Sequence, residues 1–423
     1  MSPLAFSIIF VFFLVAALSA RLWLDLRHIY HVQAHRNTVP AQFAPSIPLE
    51  AHQKAADYTI AKTHFGMVLT VVGMAVLLGF TLFGGLQWLS EATHALTSSG
   101  ITHQIALIAA FAFISSVIDL PFEYYKQFVL EEQFGFNKMT LKLFLVDMLK
   151  SAALGLVIGL PLVWVILTLM GKSGSLWWVY AWAFWTVFQL LMLVLYPTVI
   201  APLFNKFTPL ADDSLRIRIE GLMQRVGFES KGLFVMDGSK RSAHGNAYFS
   251  GFGAAKRIVF FDTLLARLSP PEIEAVLAHE LGHFKRKHIA KRMVLMFILS
   301  LGFLALLGYL KTQAWFFAGL GVDPLTANTD AMALLLFMLV LPLFTFFLSP
   351  LMAISSRKHE YEADAFAAQV TNPQDMIVAL VKMYEDNAST LTPDPLYSAF
   401  YDSHPPASLR VGKLLEGNMG QAA

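Results

Sequence analysis

The chain contains no cysteine, and only 14% of its 423 residues are charged, against about 25% in a soluble domain. The first absence excludes disulfides and thiolate metal sites and leaves His, Asp and Glu as the strong metal ligands. The second, joined to 56% hydrophobic residues and a mean hydropathy of +0.57, excludes an ordinary soluble domain. This is a membrane protein. Its 31 basic and 29 acidic residues leave a net charge of +2 and no long basic tract. The Lys/Arg clusters sit beside apolar runs, so no nucleic-acid partner is expected. No internal repeat or low-complexity tract is present.

A bilayer span needs about 20 apolar residues, and seven runs satisfy that: about 4–24, 65–86, 101–120, 144–170, 177–204, 292–310 and 331–354. The first ends in AALSA, which resembles a signal-peptide cleavage site. Yet no Lys or Arg precedes it and Arg21 follows it, the reverse of a signal peptide's charge order. Basic residues test the count and the orientation. Arg21, Arg27, Arg36, Lys54 and Lys62 follow the first run, and the next connection, QWLSEATHALTSSG, has none. Lys126, Lys138 and Lys142 precede the fourth run, Lys150 stands near its start, and only Lys172 follows it. The fifth connection is densely basic, the sixth carries only Lys311, and the tail is basic again. Strict alternation fits an odd number of spans with the N-terminus outside.

The expected organisation is a mainly α, polytopic membrane protein. Residues 1–204 hold spans one to five, 205–291 a cytoplasmic loop, 292–354 spans six and seven, and 355–423 a cytoplasmic tail. Loop and tail are each too small for a sizeable core of their own, so together they form one candidate α+β domain. Within the loop, DSLRIRIEGLMQRVGF has helical periodicity. GLFVMDG and RIVFFDTLL read as strands of a small hairpin or sheet, separated by the turn-rich SKRSAHGNAYFSGFGAA.

Two histidines four apart stand in AVLAHELGHFKRKH, residues 275–288. The preceding Ser269 and Glu272 form a capping box, and Pro270 and Pro271 suit a first helical turn. On a helix, residues four apart differ by about 40° in azimuth and 6 Å in rise, so His279 and His283 share a face and can reach one ion. Glu280, turned by about 100°, would sit beside that ion, able to take a proton from a water without being a ligand. H-E-x-x-H arises by chance in on the order of one such chain in a hundred, and a catalytic zinc needs a third protein ligand.

That ligand is available just past the last span, in SSRKHEYEADAFAAQV. Glu360 and Asp364 are four apart on another expected helix, so one can bind metal while the other orients a ligand histidine through its free N–H. His359 and Glu362 compete for these roles, and a solvated charged helix end would look similar. Position favours the site: His283 and Glu360 lie at the ends of spans six and seven that face the same membrane surface.

Taken in order, EEQFGFN (131–137), KRSAHGNAYFSGF (240–252), KRIVFFDTLL (256–265), HELGH (279–283), SRKHEYEADAFA (356–367) and SHPPASLR (403–410) resemble the type I CAAX prenyl proteases, integral-membrane zinc metallopeptidases. The resemblance implies one Zn2+ held by His279, His283 and Glu360, with Asp364 behind a ligand and Glu280 as general base. It implies that Asn246 binds substrate, and that His404 and Arg410 serve catalysis by gripping the peptide backbone and the developing oxyanion. It also implies seven helices around a chamber, a monomer, and a peptide or protein substrate that can be prenylated.

From the residues alone, Asn246 reads as a turn, His404 as a segment end, Arg410 as charge balance, and EEQFGFN as a loop. Two other functions compete. A shorter bacterial stress-linked zinc protease for membrane-protein quality control shares the HELGH and E-x-x-x-D pattern, but has fewer spans and no SHPP tail. A transporter or structural protein with an incidental metal site is the other. Carrier sites lie near the bilayer midplane, whereas this cluster falls outside the spans. A bacterial inner membrane is expected over the endoplasmic reticulum.

Overall fold

The computed structural model describes residues 1–97, 100–230, 232–250, 257–327 and 329–421. The end of the turn-rich stretch, residues 251–255, lies outside them, as does Lys256 at the head of the KRIVFFDTLL motif.

All seven expected runs are helices long and apolar enough to span a membrane: Pro3–His35, Leu49–Phe80, Ile101–Gln133, Leu141–Lys172, Gly174–Phe204, His288–Leu310 and Asp330–Val370. Most are longer than the apolar runs that announced them. A 33-residue helix such as Pro3–His35 is about 50 Å long at 1.5 Å per residue, well beyond the roughly 30 Å hydrocarbon core, so its polar end projects from the membrane. The second span, also longer, ends early. It stops at Phe80 rather than near 86, because the chain turns through Gly84 at φ +76, and a Cβ on Gly85 would meet the Gly79 carbonyl oxygen at 2.5 Å. The connection that follows is itself helical over Gly85–Leu96. The last span breaks in a short turn at Phe346–Leu348 and resumes as Ser349–Val370, which carries Glu360 and Asp364 out of the apolar segment.

The spans pack most tightly at one end. One core unites Phe6 and Phe10, Leu77 and Phe80, Leu107, Leu167 and Met170, Trp177 and Ala181, Leu307, and Ala331 to Leu343. These positions are the start of odd-numbered spans and the finish of even-numbered ones, all at the end remote from HELGH. Towards the other end the third to sixth spans bury very little. No described residue of Leu141–Leu154 is buried, and in Trp177–Leu195 only Trp177 and Ala181 are. A helix in a close-packed bundle buries a stripe along its whole length, and these do not.

The fifth connection and the tail share a second core. Leu215, Ile219 and Leu222 come from the helix Asp213–Val226, Leu233, Ile258 and Phe260 from a sheet, Ile273, Leu277 and Leu281 from the HELGH helix, and Phe366 and Ala367 from Ser349–Val370. The sheet has four strands, β1 (Phe207–Pro209), β2 (Leu233–Met236), β3 (Ala247–Ser250) and β4 (Arg257–Phe261), in the order β1-β2-β4-β3. The two strands read from the sequence, β2 and β4, are not a hairpin: they pair in parallel, Leu233 with Ile258 and Met236 with Phe261. The intervening residues supply β3, antiparallel to β4 on the outer edge. Parallel neighbours require a crossover rather than a tight turn, and the described part of the connection between β2 and β4 holds β3.

The HELGH helix, Pro270–Lys285, starts at the capping box, where the Ser269 N–H donates to Glu272 Oε2 at 2.9 Å. It crosses Ser349–Val370 at Gly282, the glycine of HELGH. A Cβ there would lie 2.9 Å from Ala363 Cα and 3.1 Å from its carbonyl oxygen, so the two backbones approach as closely as a hydrogen in that place allows. Gly282→Ala should force them apart, lower stability by about 1–3 kcal/mol, and reduce metal retained per chain. Thermal unfolding in detergent and metal analysis check both, and an unchanged melting temperature would refute the close-approach argument.

Candidate metal centre

The crossing at Gly282 brings together side chains that lie about eighty residues apart. His279 Nε2 lies 3.4 Å from Glu360 Oε2, His283 Nε2 3.3 Å from Glu360 Oε1, and the two imidazole Nε2 atoms are 3.2 Å from one another. Among the described residues, these three form a cluster of His and acidic ligand atoms close enough to hold a metal ion. A small tetrahedral cation with bonds of about 2.0–2.1 Å separates its ligand atoms by about 3.3–3.4 Å, which is the spacing found. Glu360 Oε2 is buried and accepts no hydrogen bond among the described residues. Leaving such an oxygen unpaired is costly, and a cation would satisfy it. The donor set therefore fits a metal with two imidazoles and one carboxylate.

The rear of the site is equally ordered. His279 Nδ1–H donates to Asp364 Oδ1 at 2.8 Å, which leaves Nε2 with its lone pair facing the cluster. Asp364 is held in turn by Arg410, whose Nε donates to Oδ2 at 2.8 Å and Nη2 to Oδ1 at 2.6 Å. Burial works against the Arg410 charge, but the hydrogen bonds and charge of Asp364 outweigh it and raise the guanidinium above its usual range. At 6% exposure, Arg410 turns its donors to Asp364 rather than to solvent, and its Nη2 lies 3.4 Å from His279 Nδ1.

The remaining expected residues occupy the approach. Glu280, next to His279, is half-buried, and its side chain makes no hydrogen bond or ion pair with any described residue, so its carboxylate is uncommitted. His404 is exposed, with Nε2 3.5 Å from Glu360 Oε1 and Nδ1 sharing a 3.0 Å hydrogen bond with Ser403 Oγ. Asn246 is exposed at the head of β3, where its Oδ1 accepts from Ala247 N and its carbonyl from Phe261 N. No described contact joins Asn246 to the metal cluster, although β3 packs on the HELGH helix. Of the competitors near Glu360, Glu362 Oε2 bonds His288 Nε2 at 2.9 Å, and His359 stacks on His288 with ring centroids 4.0 Å apart.

The EEQFGFN stretch proves to be attached to this region. Glu131 Oε1 accepts from Tyr58 Oη at 2.7 Å, and its other oxygen lies 3.4 Å from His244 Nε2. Phe136 stacks on His244 at 4.3 Å and its carbonyl accepts from Ala243 N, while Asn137 bridges Ser242. The segment thus adds to residues 241–244 as a strand would, and anchors the loop that leads to Asn246. Asn387 Oδ1 secures the same loop by accepting from Gly245 N. No local spacing in the sequence signals this, since Tyr58 is 73 residues from Glu131 and the loop partners lie still further away.

Comparison with known proteins identifies the family. Residues 28–206 match the model of the CAAX prenyl protease N-terminal region with five membrane helices, and residues 209–417 match that of peptidase family M48. The CAAX prenyl protease 1 homolog of Arabidopsis thaliana is 37% identical over 92% of this chain and 92% of its own. CAAX prenyl protease 1 of Saccharomyces cerevisiae is 36% identical over 89% of this chain and 88% of its own. The crystal structure of S. mikatae Ste24p superposes with a TM-score of 0.91 at 33% identity, covering 98% of this chain and 100% of that one. Seven apolar helices, a His-His-Glu cluster at a helix crossing and these likenesses lead to one family: the chain belongs to the type I CAAX prenyl proteases of peptidase family M48, membrane-embedded metallopeptidases.

Proposed function

We propose that the protein is a zinc endopeptidase acting near the C-terminus of prenylated C-a-a-X proteins or related membrane-associated chains, with His279, His283 and Glu360 as the zinc ligands. The observation that carries this reading is the mutual spacing of the three donors around an oxygen that nothing else satisfies. A zinc ion bound there would supply Lewis acidity, bringing the pKa of a water towards about 7 and polarising a scissile carbonyl.

The chain's own residues do the rest. Glu280, uncommitted and beside His279, takes the proton of the attacking water and delivers it to the leaving amine. Asp364 holds the proton on His279 Nδ1, and Arg410 holds Asp364, so Arg410 acts through the ligand shell rather than on substrate. His404, exposed and near Glu360, is positioned to donate to the developing oxyanion. Strand β3 is an open edge, and an extended peptide can add to it through main-chain hydrogen bonds, with Asn246 at its head meeting the peptide backbone.

The weakly packed halves of the spans support an internal water-filled chamber below this site, entered by the substrate from the membrane. The basic loops support a cytoplasmic location for the peptidase domain. The relatives that resemble the chain, from a plant and a yeast, lend no weight to a bacterial inner membrane. A match over 98% of this chain and 100% of the S. mikatae Ste24p chain favours this reading over the shorter stress-linked protease and over a carrier. The protein is proposed to work as a monomer.

Glu280→Gln should keep its zinc and lose about 10²–10⁴ in kcat, whereas His279→Ala should lose zinc itself. Metal content after chelation and peptide cleavage separate the two, and an active Glu280→Gln variant would refute the assignment. For substrate class, mass spectrometry of products from a farnesylated C-a-a-X peptide and its unprenylated twin is decisive. Release of the last three residues from the farnesylated peptide alone is expected; equal cleavage of both would place the activity with general membrane-protein turnover.

A further inference from the structure

His288 stands five residues after His283, a spacing that on a continuous helix would put the two on different faces. It does not do so here, because the HELGH helix ends at Lys285 and Lys287 takes a left-handed conformation at φ +57 before the sixth span begins. The bend returns His288 beneath the metal cluster. It is 4% exposed, with Nδ1 3.1 Å from His283 Nδ1 and Nε2 2.9 Å from Glu362 Oε2.

The three groups admit one consistent arrangement of protons. His283 presents Nε2 to the cluster, so its proton is on Nδ1 and is donated to His288. His288 Nδ1 must then accept, which puts its own proton on Nε2, donated to the Glu362 carboxylate. Each hydrogen bond thereby fixes the next. His359, stacked 4.0 Å from His288 at an interplanar angle of 14°, restrains the ring's rotation.

We propose that Glu362 and His288 form a positioning relay that sets the tautomer and aim of His283, doing for the second ligand what Asp364 does directly for the first. The proposal rests on the zinc reading given above. It assigns a task to three side chains, His288, Glu362 and His359, that metal coordination leaves idle. It also explains why the chain adopts a left-handed residue at Lys287, a conformation that costs about 1–2 kcal/mol away from glycine: without that bend His288 could not reach His283.

The test uses the full-length protein in detergent, with zinc affinity measured by competition against a chromophoric chelator and the ligand field read from the visible spectrum of the Co2+-loaded form. His288→Ala is expected to weaken zinc binding about 10–100-fold, in the range found when groups behind a metal ligand are removed, and to shift the cobalt bands. Glu362→Gln, at a partly exposed position, is expected to shift them in the same direction with a smaller loss, and it carries the test by itself if His288→Ala does not fold. The double variant should bind zinc no more weakly than His288→Ala, since Glu362 acts only through His288. Wild-type affinity and an unshifted spectrum in Glu362→Gln, or losses that multiply in the double variant, would overturn the relay. Failure of the zinc reading looks different: His283→Ala would then also keep its metal.

Discussion

The structure depends on the close crossing of two helices at Gly282 and Ala363. Neither helix holds a complete site. One brings two imidazoles and the Glu280 carboxylate on consecutive turns; the other brings a carboxylate and, one turn later, the acid that steadies one of those imidazoles. Only where a glycine lets the backbones nearly touch do Glu360 and Asp364 fall on opposite sides of the same histidine ring, one before Nε2 and the other behind Nδ1. The capping box that starts one helix and the turn at Phe346–Leu348 that aims the other serve this one contact.

The membrane part and the peptidase part meet the same constraint from two directions. HELGH leads directly into the sixth span, and the Glu360 helix continues the seventh, so the metal site is anchored by elements that cannot drift apart without disturbing the bilayer-spanning bundle. The EEQFGFN stretch links the third span to the loop ahead of β3 in a similar way. A polar site thereby gains the rigidity of the scaffold while remaining outside the apolar segments.

Much of this was legible in the residues, for identifiable reasons. Long apolar runs and alternating basic loops revealed seven spans, because lipid tolerates few other ways to satisfy a backbone. His279, His283, Glu360 and Asp364 were legible because helical spacing repeats locally. What escaped was whatever depends on a bend or a distant partner. His288 was overlooked since five residues is no helical face until Lys287 turns the chain. The parallel pairing of β2 with β4 was hidden because alternation marks a strand without naming its neighbour. Arg410 could be connected with the site by resemblance, but its direction could not: only the fold shows the guanidinium turned inward on Asp364.

That inward turn bears on the order in which the molecule is made. Arg410 lies in the last described helix, Ala407–Gln421, whereas His279, Glu280, His283 and Glu360 precede it in the chain. While that helix is still being added, Asp364 is an acid without the counter-ion that holds it. The pairing of Asp364 therefore waits on a residue 46 positions further along the chain, made after all seven spans.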